Sequence, residues 1–141
     1  MKFNRAALGL AGALGAVAAT LTLSAPVQAA QVGITAASPT VSPAAERTYL
    51  TSAGLSSCDR GRYCTETLDP AAGNIWKVHV FYECKTYALS NWMGTGAHIN
   101  NQTDGVAARV YDKNMKLLWS SPADNKKGWE NWTAAYYIKP C

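Results

Sequence analysis

Aromatic side chains crowd the C-terminal end of this 141-residue chain, in a setting suited to stacking. Trp129, Trp132, Tyr136 and Tyr137 fall within nine residues, with Glu130 among them and Lys126 and Lys127 just before. Flat exposed rings stack on sugar faces, and flanking polar groups bond hydroxyls. A polysaccharide or cell-wall platform built on Trp129, Trp132 and Tyr136 is therefore one reading. The competing reading is that these rings fill the core of a small β domain. Gly128 and Asn131 give Trp129 and Trp132 a turn-like context, so these two are expected to be exposed, whereas Trp76, Trp92 and Trp119 are expected in the core.

Residues for catalysis are sparse. A Ser–His–acid triad needs three roles met in space, and His79 and His98 are the only histidines to act as base. No Gly-x-Ser-x-Gly elbow is present. Glu66 and Glu83 lie near strand ends and could supply the two carboxyls of glycoside hydrolysis. Nine acids in the chain make such a pair easy to meet by chance. His79 alternates with an apolar strand face and is expected at the rim or facing solvent. No phosphate loop, nucleotide fingerprint or haem motif occurs. A non-enzymatic binding role without cofactor follows.

The four cysteines are Cys58, Cys64, Cys84 and Cys141. They contain no Cys-x-x-Cys pair, and neither histidine stands at ligand spacing from them, so no metal site is expected. An even number in a short exported chain points to two disulfides. Three pairings are possible. Cys58–Cys64 spans the turn Asp59-Arg60-Gly61, and Cys84–Cys141 would pin the last strand. On the chain-entropy model the long loop is worth about 4 kcal/mol and the short one about 2 kcal/mol.

Export itself is read from residues 1–30. Lys2 and Arg5 form a basic start, residues 6–23 are apolar, and Val27-x-Ala29 or Gln28-x-Ala30 offers a cleavage site. This signal peptide implies a secreted, extracellular protein with no stable membrane insertion after cleavage. Removing Lys2 and Arg5 from 13 basic residues leaves 11 against 9 acidic, a net charge of +2. That balance argues against a nucleic-acid partner. About 111 residues suffice for one small domain, read here as a monomer.

Residues 31–57 are rich in Ala, Ser, Thr, Pro and Gly, with Tyr49 their only aromatic. They are expected to form a flexible N-terminal segment, with a short helix over 44–50 capped by Ser42. Residues 58–141 hold twelve aromatics and form the folded domain. Alternation over 76–83 sets Trp76, Val78, Val80 and Tyr82 on one strand face. Further strands are expected over 62–66, 106–112, 116–120 and 134–139. Asp112-Lys113-Asn114-Met115 forms a hairpin turn with Asn114 left-handed. Short strands divided by Asn, Gly and Asp turns indicate an all-β Greek key sandwich.

The order of motifs over 58–141 resembles the small secreted actinobacterial proteins of β/γ-crystallin-like class, grouped with metalloproteinase inhibitors of that fold. The resemblance rests on Cys58-x5-Cys64, Phe81-Tyr82-x-Cys84, Tyr87-x-Leu89-Ser90-Asn91-Trp92, Asn100-Asn101-Gln102-Thr103-x-Gly105 and Tyr137-Ile138-Lys139-Pro140-Cys141. It implies a β/γ-crystallin-like Greek key and inhibition of an extracellular protease, with 69–74 and 121–128 as candidate inhibitory loops. The run from Asn100 to Gly105 is similar to a crystallin calcium loop, but Asp104 and Gly105 replace its hydroxyl ligands. A turn bonded by Asn side chains is the expectation there. Two Asn-x-Thr sequons, at Asn101 and Asn131, are chance in a chain whose Ala-rich leader looks bacterial. Non-reducing peptide mapping should find Cys84 joined to Cys141, and a Cys58–Cys84 peptide would refute this pairing.

Overall fold

A computed structural model describes residues 36–141, so the leader and residues 31–35 lie outside the described residues. Among the described residues ten strands build two antiparallel five-stranded sheets. They are β1 (Thr40–Ser42), β2 (Arg47–Thr51), β3 (Arg62–Asp69), β4 (Ile75–Phe81), β5 (Tyr87–Ser90), β6 (Thr95–Asn101), β7 (Ala107–Tyr111), β8 (Leu117–Pro122), β9 (Lys127–Asn131) and β10 (Tyr137–Lys139). Sheet I has the order β1-β5-β10-β7-β8, and sheet II the order β2-β4-β3-β6-β9. Among the described residues no helix is long and apolar enough to cross a membrane. The all-β, sandwich-like architecture and both disulfides, Cys58–Cys64 and Cys84–Cys141, match the sequence reading.

The two sheets meet over a core of Tyr63 and Phe81 from sheet II, Tyr87, Leu89, Val110 and Ile138 from sheet I, and Trp92 and Trp132 from connections. Alternation explains this set, because β-strand residues two apart share a face. Sheet II buries part of its other face as well. Leu55, Cys58, Cys64, Val78, Val80 and Ile99 form a second apolar cluster there. Residues 52–58 run over this outer face as a strap, anchored by Leu55 and by the Cys58–Cys64 disulfide.

The domain therefore begins before Cys58, contrary to the expectation for 31–57. β1 pairs with β5, and β2 pairs with β4 from Arg47 opposite Val80 to Thr51 opposite Trp76. Residues 44–50 contribute this strand and no helix. Composition undervalues such a segment, because backbone ladders and a few anchors hold it. Trp92 donates its indole N–H to the Thr40 carbonyl at 2.9 Å, and Arg47 pairs with Asp59 at 2.9 Å. The left-handed residue of the β7–β8 hairpin is Met115 (φ 60°) in place of Asn114. Asp112 decides this. Its carboxylate accepts the N–H of Asn114 (2.8 Å) and of Lys116 (2.9 Å), which pins the turn around it.

Gly96 is required by a close approach. A Cβ there would collide with the Glu66 carbonyl oxygen and lie 2.8 Å from the Trp132 indole nitrogen. Gly96→Ala should cost about 3 kcal/mol or more through overpacking, read as a lowered urea midpoint or as loss of folded protein.

Candidate functional site

Sheet II brings charged and aromatic side chains together on its outer face. Trp129 pairs with Ala97, and Lys127 pairs with Ile99. Ile99 stands opposite Cys64, two residues from Glu66, and Glu66 stands opposite Val78, two residues from Trp76. Directly paired residues point the same way, so Trp76, Glu66, Ala97, Lys127 and Trp129 share this face. Ala97 leaves room between the strands, and the two long indoles close it. Trp76 and Trp129 meet edge to face with ring centroids 6.3 Å apart.

Trp129 is 54% exposed, although its ring is well supported. The Lys127 ammonium lies 4.5 Å from its centroid, a cation–π contact. That ammonium stands 3.0 Å from Glu66 Oε1 and donates to the Leu55 carbonyl at 2.6 Å. Glu66 has no solvent exposure. Its second oxygen accepts the Leu55 N–H from the strap. Gly54 (φ 74°) lets the strap come this close, since a Cβ there would lie 3.0 Å from Glu66 Oε2. The carboxylate is thus partnered on both sides, as a buried charge must be. At the far end of the same β4 face Tyr82 is exposed, with the Arg62 guanidinium 3.9 Å from its ring centroid and held by Glu46.

The cluster expected from Trp129, Trp132 and Tyr136 is divided among three places. Trp132 is 0% exposed and belongs to the core, correcting the expectation that it is a surface residue. Asn131 caps a short 3-10 turn, Trp132–Ala134, by accepting the Thr133 N–H at 3.0 Å. This turn carries the chain from sheet II to sheet I and aims Trp132 inward. There it packs edge-on between Trp92 (5.0 Å) and Trp119 (5.2 Å). Tyr136 is exposed, but at the end of the sandwich, in a hollow shared with Met93 and Thr133. Trp76 is half-buried at the site and not in the core, while Trp92 is buried and Trp119 half-buried.

The groups singled out for catalysis do not converge. Glu66 is tied to Lys127, whereas Glu83 is exposed beyond the end of β4 and pairs with Lys85 at 2.5 Å. His79 is buried, correcting its placement at the rim. It faces sheet I, and its ring lies 4.9 Å from that of Trp92. His98 is buried too and shares a hydrogen bond of 3.0 Å with the Ser121 hydroxyl. Sequence reasoning missed a third polar cluster. Ser38 Oγ accepts from the Lys77 ammonium at 2.6 Å and donates its proton to the buried Asp69 carboxylate. Burial raises the Asp69 pKa, but hydrogen bonds from Ser38, Lys77 and the Ala71 N–H, with the Lys77 charge, hold it below the ordinary value. With its proton committed to Asp69, Ser38 serves to moor the segment before β1. Among the described residues no group of three His, Cys, Asp or Glu is placed to hold a metal ion.

No family model, curated protein or solved structure matches this chain.

Burial, reinforced by the Lys77 charge, lowers the His79 pKa from 6.5 to about 4, and burial lowers that of His98. Between those two His79 values the unfolded chain binds more protons than the folded one, so stability falls as the pH drops. Asp69 adds its own loss only below its unfolded value of 3.8. Urea unfolding should show a loss of about 2 kcal/mol between pH 7 and pH 5. His79→Leu should flatten that slope, and an unchanged slope would remove His79 from the account.

Proposed function

We propose that this chain is a secreted, non-enzymatic binding module that takes a polysaccharide onto the Trp129 surface of sheet II. One observation carries this reading. A large ring stands more than half exposed, yet it is braced edge-on by Trp76 and from a face by Lys127. A braced ring loses little conformational entropy on binding, and its apolar face suits the apolar face of a pyranose. Exposed Leu68 lies on the same sheet face, and Thr95 and Asn131 pair at its edge, adding apolar and hydroxyl-bonding partners. Secretion agrees with two disulfides, which persist in oxidising compartments.

Inhibition of an extracellular peptidase draws less support. Protease clefts take an extended segment as an added strand. Over 69–74 the backbone is instead a 3-10 turn at Pro70–Ala72, capped by Asp69 and Gly73. Over 121–128, Ser121 is buried against His98 and Lys127 already belongs to β9. The β/γ-crystallin-like Greek key remains the proposed class, on the order of motifs over 58–141 and on two antiparallel sheets.

Pull-down on peptidoglycan, chitin and cellulose tests the reading. Binding to at least one should weaken about tenfold or more in Trp129→Ala, as truncation of an aromatic anchor does, and by less in Trp76→Ala. Equal binding by Trp129→Ala would remove the site. A changed rate in a panel of secreted proteases would restore the inhibitor reading.

A further inference from the structure

Among the described residues, six of eleven Lys and Arg side chains lie within 4.0 Å of a carboxylate: Arg47, Arg62, Lys77, Lys85, Lys126 and Lys127. Of the other five, four fall on one part of sheet I. Arg109 lies on β7, Lys113 and Lys116 flank the β7–β8 turn, and Lys139 pairs with Arg109 from β10. Arg109 donates to the Cys141 carbonyl, and the Asp112 carboxylate is occupied by two N–H groups of the turn.

Exposed apolar side chains alternate with these charges. Met115 is 51% exposed, Leu117 48% and Leu118 36%. Met115 is unfavourable there on two counts. It holds a left-handed backbone (φ 60°), which costs a non-glycine residue about 1 kcal/mol, and it offers a long apolar side chain to water. Gly or Asn would be the usual occupant of such a turn position. Leu117 and Leu118 lie on β8, the last strand of sheet I, where exposed strands ordinarily carry charge.

We propose that the β7–β8 hairpin is a docking site for an anionic phospholipid surface, with Met115, Leu117 and Leu118 entering the acyl boundary and Lys113 and Lys116 meeting the phosphates. Each half of the pattern calls for one property of that surface: the apolar tip needs an apolar phase, and the lysines need negative charge. A second copy of this chain would bring the same positive charges face to face. A soluble anionic polymer would leave Met115 and the leucines in water. The site lies on the opposite sheet from Trp129, so it does not rest on the polysaccharide reading.

Vesicle sedimentation tests this, using the oxidised chain from Gln31 onward, which contains every strand of the described residues and both disulfides. Vesicles of mixed phosphatidylglycerol and phosphatidylcholine should bind the chain, with loss of binding at high salt, and pure phosphatidylcholine should bind it weakly. Lys113→Gln with Lys116→Gln should weaken binding about tenfold or more. Met115→Gly should also weaken it, about tenfold, while the thermal midpoint stays level or rises because the turn strain is relieved. Trp129→Ala should bind vesicles as the parent does. The proposal is overturned by absence of binding to the anionic vesicles at low salt, by parental binding of Met115→Gly, or by loss of binding in Trp129→Ala. A dimer in sedimentation velocity that Met115→Gly or Leu117→Ser dissociates would assign the surface to a second copy and overturn it equally.

Discussion

A carboxylate with no solvent exposure lies in the middle of sheet II, and the surrounding structure is arranged to satisfy it. Glu66 needs two partners where water cannot reach. One is the Leu55 N–H, which requires a strap crossing the sheet and a glycine at position 54 for close passage. The other is Lys127 from β9, which requires the outermost strand of the sheet to be in register with β6. The same strap buries Leu55 and carries Cys58 to its disulfide with Cys64. Removing Lys127 alone would leave a buried charge unpaired, so the pair specifies an arrangement more than it adds stability.

The candidate binding surface is a consequence of that arrangement. The strap covers the middle of the face and passes beside Trp76 at Gly54, where a Cβ would lie 3.5 Å from the indole, and Trp76 and Trp129 remain as a braced aromatic pair at its margin. Lys127 joins the two features, with one ammonium serving Glu66, the Leu55 carbonyl and the Trp129 ring. The buried ion pair and the ring of the proposed binding surface therefore depend on a common side chain. The opposite sheet ends in a hairpin where, among the described residues, Lys113 and Lys116 have no carboxylate within 4.0 Å and apolar side chains are exposed, so the two sheets present different chemistry to solvent.

The polar groups of the interior follow the same physical rule. His79, His98, Ser121 and Asp69 are buried by the sandwich and bonded or packed within it. The lowered histidine pKa values are marks of that burial.

Period-two alternation and turn residues pointed to the all-β class, and an even cysteine count to two disulfides, because strand faces and the six-residue Cys58–Cys64 separation are local properties of the chain, whereas the join of Cys84 to Cys141 spans 57 positions and is made by the fold. Local signals failed where one residue's fate depended on a distant one. Trp132 follows Asn131 and looks like a turn residue, but it is buried because Gly96, thirty-six positions earlier, leaves space for its ring. Trp129 and Trp132 are only three positions apart, yet one is on the outer face and the other in the core, since β9 ends at Asn131 and the 3-10 turn that it caps begins at Trp132. His79 reads as a rim residue because alternation does not say that both faces of a strand will be covered. β1 and β2 have few large apolar side chains, and only pairing with β5 and β4, twenty-five or more residues away, orders them. Tertiary structure alone decided which tryptophan meets solvent, because exposure is set by what other segments cover, and no window of sequence contains those segments.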